Sequence, residues 1–270
     1  MPLADIGAGQ ISYERGGSGP PLLLVMGMSG TFSHWESHFL ERLQASFDTI
    51  VFDHRGVGLS SPMPEQLTTA GMARDAAALL SALELDSAHV LGISMGGMVA
   101  QELALAEPGR VRSLALGCTY CGGPGSSLTG QEVLQRLAAG MSSGDRAKAV
   151  QTAWEVNVSA GLAADEDATA AFHAIGMRRA VPVPVILAQM RACAAHDTSD
   201  RMAELRMPTL VVHGTADEII PVANAEVIHR HIPGSRLEIL EGIGHLFFWE
   251  LPQHSAELVR ENAALATAPA

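Results

Sequence analysis

Of the 270 residues in the chain, Ser94, Asp217 and His245 have the types and the sequence surroundings to form one proton-transfer line. A serine hydroxyl is a poor nucleophile at neutral pH, so it reacts only with a neutral imidazole in hydrogen-bond reach and a carboxylate to orient that imidazole. Ser94 sits in Val90 to Gln101, VLGISMGGMVAQ, where a short apolar run ends in Gly-x-Ser-x-Gly and passes directly into a small-residue helical pattern. In such a strand–turn–helix elbow the serine takes a strained backbone conformation, its hydroxyl stands clear of both elements, and glycine is needed where a Cβ would collide. Gly92 and Gly96 are then spacers, and Gly97 lets the helix press on the sheet. The same pattern recurs at Gly140-Met141-Ser142-Ser143-Gly144, but there it follows the helical pattern EVLQRLAAGM and leads into DRAKA, which makes Ser142 an inter-helix loop residue.

The base is selected by position. Of the eleven histidines, His34, His38, His54 and His89 precede the serine, His229 and His231 fall in a predicted helix before the last strand, and His254 falls in the helix after it. His245, in LEILEGIGHLFFWE, lies between the last strand and the last helix, with Gly242 and Gly244 to let its loop reach inward and LFFW to bury it. The acid is Asp217, in TLVVHGTADEIIP just beyond a strong strand pattern, with Glu218 as the fallback. An acid one strand earlier is ruled out because the loop GCTYCGG has no carboxylate. Backbone N–H groups of Met95, directly after the serine, and of Met28, in the loop MGMSG, are the candidate donors for a tetrahedral oxyanion.

These residues need a scaffold that brings distant loops together. Short β-rich runs recur at Ile11 to Arg15, Leu22 to Val25, Thr49 to Phe52, Ala88 to Ile93, Val111 to Leu116, Thr209 to His213 and Arg236 to Leu240. Runs such as PLLLV and TLVVH are apolar on successive residues, which suits strands buried on both faces of a mostly parallel sheet. Helical patterns lie near His38 to Ser46, Thr69 to Leu83, Met95 to Ala106, Val222 to His231 and Leu251 to Leu265, so the expected class is α/β and doubly wound. From about Cys121 to Arg206 no strand pattern occurs, only helical patterns at Gln131 to Met141, Asp145 to Val158, Asp165 to Arg179 and Pro184 to His196. The expected division is a core of residues 1–120 and 207–270 with a helical cap, 121–206, folded over the carboxyl ends of the strands, where open α/β sheets bind ligands. Helical insertions also serve as dimer contacts, so a homo-oligomer is one alternative use of this segment. The Ala-rich tail ENAALATAPA is expected to fray.

Composition narrows the partners. The formal charge is −12, Lys148 is the sole lysine and no basic stripe is present, which argues against nucleic acid. No apolar run approaches the ~20 residues that span a bilayer and no signal-peptide pattern opens the chain, so a soluble cytoplasmic protein is expected. Cys118, Cys121 and Cys193 are too few for a disulfide framework, and the Cys-x-x-Cys of GCTYCGG lacks both the helix of a redox pair and the second ligand pair of a zinc site.

With the triad placed, the chain resembles the α/β-hydrolase fold superfamily over nearly its full length, through FDHRGVGLS at 52–60, the helix MARDAAALLSALEL leading into AHVLGISMGG, and HGTADEIIP. Within it the nearest resemblance is to bacterial carboxylesterases and 3-oxoadipate enol-lactonase-like hydrolases, partly through AAHDTSDRMAELRMPTLVVHGTAD. The resemblance implies a cap inserted after the sixth strand of that fold. It also implies a serine hydrolase acting on a small apolar carboxylic ester or lactone through an acyl-enzyme, with no cofactor and no metal. The same triad would serve a C–C bond hydrolase or a cofactor-free perhydrolase, and the same fold would serve a ligand-binding signalling protein without turnover. Many relatives carry histidine before the oxyanion glycine; here that position is Met26.

Overall fold

The computed structural model describes residues 1–266. The strands are β1 (Leu3–Asp5), β2 (Gln10–Gly17), β3 (Pro21–Val25), β4 (Asp48–Phe52), β5 (Ala88–Ile93), β6 (Val111–Gly117), β7 (Thr209–Gly214) and β8 (Arg236–Leu240). They form one sheet in the order β1-β2-β4-β3-β5-β6-β7-β8. The pairs β1–β2 and β2–β4 are antiparallel and all others are parallel. The helices are α1 (Ser37–Gln44), α2 (Thr69–Ala82), α3 (Met95–Ala106), α4 (Gln131–Ser142), α5 (Arg146–Asn157), α6 (Ala160–Ala163), α7 (Glu166–Arg178), α8 (Val183–Ala194), α9 (Ala223–His231), α10 (Phe247–Glu250) and α11 (Pro252–Leu265).

The unbroken apolar runs have the cause expected for a sheet covered on both sides. Successive side chains of a strand point to opposite faces. Leu23 and Val25 of β3 join Ile50, Phe52, Leu114 and Val211 in a core under α2, α3 and α9. Leu22 and Leu24 join Val51, Leu91, Leu210 and Val212 in a second core under α1 and α11. Each such side chain contributes roughly 1.5–3 kcal/mol on leaving water, so both faces bind their helices by burial.

The seven strand runs read from the sequence are all present, and β1 is an addition: three residues, exposed–buried–exposed, too short to carry a periodic signal. It makes β6 the sixth strand. Between β6 and β7 the described residues form helices α4, α5, α6, α7 and α8 and no strand. Asp145 caps α5 through the Ala147 and Lys148 amides, and Asp165 caps α7 through the Ala168 amide, so these helices start where side-chain oxygens satisfy their free N–H groups. The expected Ala-rich tail is helical as far as Leu265, and residues 267–270 lie outside the described residues.

Candidate active site

The elbow forms as its residues require. Ser94, between β5 and α3, has φ 54° and ψ −127°. A Cβ on Gly92 would lie 2.3 Å from the Gly96 carbonyl oxygen, and one on Gly96 would lie 2.0 Å from the Val25 carbonyl oxygen. Gly96, rather than Gly97, is therefore the residue that lets α3 approach the sheet backbone; Gly97 instead makes room for the Thr119 side chain, 2.6 Å from where its Cβ would stand. Strain gathers around this point. Of the four non-glycine residues with positive φ among those described, Ser29 follows β3, Ser94 follows β5 and Cys118 follows β6; Glu84, the fourth, ends α2.

Asp217 and His245 meet on the neighbouring loops. His245 Nδ1 lies 2.7 Å from Asp217 Oδ2, and both side chains are almost wholly buried. Asp217 Oδ1 accepts from the Ile219 and Ile220 amides at 2.8 and 2.9 Å. Burial alone would raise the Asp217 carboxyl, but His245 and His213 outweigh it and hold the group well below the usual carboxylate range. Ser94 is tied to the same place: its N–H donates to the Gly117 carbonyl at 2.9 Å, and the Sγ of the next residue, Cys118, lies within 4.8 Å of the Asp217 and His245 polar atoms. Glu218, the fallback acid, points away to an ion pair with Arg136. Ser142 is the exposed last residue of α4 rather than a loop residue, and its Oγ bonds only within its own turn.

In the loop after β3 the amides of residues 29–32 are all engaged. The Met26 carbonyl lies 3.2 Å from His54 Nε2; Ser29 N–H donates to Gln189 Oε1 at 2.9 Å, Thr31 N–H to His34 Nδ1 at 3.0 Å and Phe32 N–H to Asp53 Oδ1 at 2.8 Å. Gly30 N–H turns back to the Gly27 carbonyl at 3.3 Å. The Met28 N–H has no acceptor among the described residues, and Met95, first residue of α3, carries an amide with no intrahelical acceptor. A Cβ on Gly27 would stand 3.1 Å from Ser94 Cβ, so this loop passes directly beside the serine.

The helices between β6 and β7 grip both sides of the site. On one side α8 supplies Gln189, which is fully buried and whose Nε2 has no partner, a desolvated donor worth about 1–3 kcal/mol of lost hydrogen bonding. On the other, the Leu246 amide donates to the Asn157 carbonyl at 2.8 Å, and Glu250 Oε1 accepts from the amides of Gly244 and Ser159 at 2.7 and 2.9 Å. Trp154, Phe172 and Trp249 pack with ring centroids 4.9 to 5.7 Å apart, and the Trp249 indole donates to the His34 carbonyl.

Cys118, Asp217 and His245 are also a set of potential metal donors. Their arrangement does not suit an ion: a 2.7 Å imidazole–carboxylate contact is shorter than two ligands on one tetrahedral zinc allow. The cysteines are free, and Cys118 and Cys121 fall in opposite cores of the sheet, so the Cys-x-x-Cys spacing makes no redox pair.

Residues 20–252 match the alpha/beta hydrolase fold family. The chain belongs to that family. This α/β-hydrolase is 31% identical over 252 residues, 92% of each chain, to a protein of Azorhizobium caulinodans whose name, RutD, is that of a carbamate hydrolase. It is 29% identical to the crystal structure of a hydrolase from Pseudomonas aeruginosa, covering 96% of both chains at a TM-score of 0.82. A thermophilic esterase from Thermogutta terrifontis is 26% identical, covers 96% of this chain and 95% of its own, and gives a TM-score of 0.79. The protein is thus an enzyme of the hydrolase class, and no helix among its described residues is long and apolar enough to cross a membrane.

One residue of the site escaped the sequence reading. His213, fully buried near the end of β7, places Nε2 3.0 Å from Asp217 Oδ2 and 2.9 Å from the Ile220 carbonyl. Its signal was the spacing His-Gly-x-x-Asp across the end of a strand, which puts the two side chains on one turn.

Proposed function

We propose that this hydrolase cleaves small carboxylic esters or lactones through Ser94, His245 and Asp217 and an acyl-enzyme on Ser94. The observation that carries the reading is the 2.7 Å contact between His245 Nδ1 and Asp217 Oδ2, within 4.8 Å of the Sγ of Cys118, whose neighbour Gly117 accepts from the Ser94 N–H. A hydrogen kept on Nδ1, where it donates to the carboxylate, leaves Nε2 as the lone-pair nitrogen that a general base needs. His245 takes the hydroxyl proton as Ser94 Oγ attacks the carbonyl carbon, and the oxyanion is received by the amides of Met28 and Met95. Each such donor contributes about 3 kcal/mol in acyl transfer. Collapse expels the alcohol with the proton from His245; water, deprotonated by His245, then releases the acid and frees the serine. Asp217 keeps the ring in this tautomer and stabilises its charged form. The segment 121–206 acts as the cap that closes over this site, with Gln189 and Glu250 as its ties to the oxyanion and histidine loops.

Carbamates belong in the same trial, because the A. caulinodans relative carries a carbamate hydrolase name and the triad would attack a carbamate carbonyl by the same steps. The test is turnover of p-nitrophenyl esters, lactones and carbamates by the wild type, Ser94→Ala and Ser142→Ala. Ester or lactone turnover that disappears with Ser94→Ala and persists with Ser142→Ala supports the reading; turnover retained by Ser94→Ala refutes it.

A further inference from the structure

Asp217 Oδ2 accepts from two imidazoles, and the assignment above uses only one. His213, the penultimate residue of β7, is fully buried, and its Nε2 stands between the Asp217 carboxylate at 3.0 Å and the Ile220 carbonyl at 2.9 Å. An ionised carboxylate and a peptide carbonyl offer only lone pairs, so Nε2 must carry the hydrogen and share it between them. The other nitrogen, Nδ1, is buried without a partner. A proton there would be a desolvated charge with no acceptor, so the neutral Nε2–H form is the one this pocket accommodates.

This hydrogen joins the bonds from the Ile219 and Ile220 amides to Asp217 Oδ1 in closing the turn from 214 to 220. Ile220 gives its N–H to Asp217 Oδ1 and its carbonyl to His213, so the same residue links both histidine and acid. The other titratable groups facing the pair are His245 across Oδ2, the neutral Cys118 thiol from the end of β6, and Glu250 of α10, whose carboxylate is engaged by the amides of Gly244 and Ser159. None of them, apart from His245, donates to Oδ2 with a full N–H bond.

We propose that His213 is a positioning residue for the acid of the triad: its Nε2–H fixes Asp217 against the turn and draws off part of the Oδ2 charge that would otherwise act on His245. The inference rests on the Ser94–His245–Asp217 reading. It has a signature that a packing role lacks. Without the His213 donor the carboxylate holds the protonated His245 ring more tightly, so the ionisation that limits kcat/KM on the acid side moves to higher pH.

The experiment is the pH profile of kcat/KM on p-nitrophenyl butyrate for the wild type, His213→Phe and His213→Gln, with His213→Phe repeated in an Asp217→Asn background. In His213→Phe the acid limb is expected to rise by about half a pH unit and the plateau to fall about tenfold; His213→Gln, which keeps an N–H near the Nε2 position, restores both to within about threefold of the wild type. In the Asp217→Asn background the added His213→Phe change costs less than about twofold, since the two act as a unit. An unmoved acid limb, or the same tenfold loss in the Asp217→Asn background, overturns the proposal. Nitrogen-15 imidazole shifts of the wild type give a second reading that needs no variant to fold: His213 must be the Nε2–H tautomer, and an Nδ1–H tautomer overturns the proposal. A wild type that hydrolyses no ester at all defeats the triad reading itself, whereas turnover with an unmoved limb defeats only the role of His213.

Discussion

If Ser94 is the nucleophile as proposed, replacing it by Ala removes the attacking atom, and the expected loss in kcat is about 10⁶-fold, as for nucleophiles that act as one unit with their base. Ser142→Ala, at an exposed helix end, is expected to leave kcat/KM within about twofold. The comparison separates two sites with the same five-residue pattern by what surrounds them. At this scale the positions of the proposed site residues followed from chain order: Ser94 at a strand-to-helix turn, and Asp217 after a strand in contact with His245 before the last helices. His213 left only a spacing, His-Gly-x-x-Asp, as its trace, because the aim of its ring at Asp217 is set by the path of the turn. The same holds for Gln189, which reaches Ser29 across 160 positions of sequence, and for His54, whose ring lies by the Met26 carbonyl. Side-chain bonds to loop backbone carry no periodic trace.

Among the elements, the elbow is packed with little freedom at its glycines. Gly96→Ala would drive a Cβ to 2.0 Å from the Val25 carbonyl oxygen, and since the obstacle is backbone, α3 must move off the sheet. The expected result is a stability loss of roughly 3 kcal/mol in urea unfolding, with turnover falling because Ser94 moves with the helix. Gly109→Ala, where nothing lies within 4 Å of the added carbon, is the control and should change stability by less than about 0.5 kcal/mol. Equal stability of the two variants would show that α3 does not lie against β3 as described. The longer helices and the buried strands were readable from periodicity because burial on one stripe or on both faces writes itself into the residue pattern. Three-residue β1 and the four-residue helices α6 and α10 were not, since none of them spans two periods of the signal and a repeat cannot show within them.

The whole molecule joins the inserted helices to the core more deeply than a boundary at 121–206 suggests. His196 lies 3.1 Å from Thr69 and 3.2 Å from Gln101 of α3, Thr198 donates to Gln101 Oε1 at 2.7 Å, and Met202 and Leu205 are part of the core under α3. The exit of the insertion is thus a buried polar junction, and a sequence shows polar residues without showing that they are buried together. This burial has a consequence for pH. Desolvation lowers His34, His54, His89 and His196 from the usual 6.5 to about 4, so the unfolded chain binds protons before the native one as pH falls. Each of these rings contributes stability that is complete above pH 6.5 and is lost as pH drops through 4, on the order of 3 kcal/mol each. Asp53, raised by burial to about 6, works the other way between 6 and 4, because the native state takes its proton first. The net expectation is a steep fall in unfolding free energy from pH 6.5 to 4 with uptake of about three protons, and a slope smaller by about one proton in His89→Gln. A stability that stays flat across that window would mean these rings are solvated.

The central claim is that Ser94 is the activated nucleophile, and a fluorophosphonate tests it most directly by reacting only with a serine whose base and oxyanion donors are in place. Intact-mass and peptide mapping after labelling should find one phosphonate per chain, on the peptide carrying Ser94, with the label lost in His245→Ala. An unlabelled Ser94, or a label carried by Ser142 or another serine instead, would contradict the account.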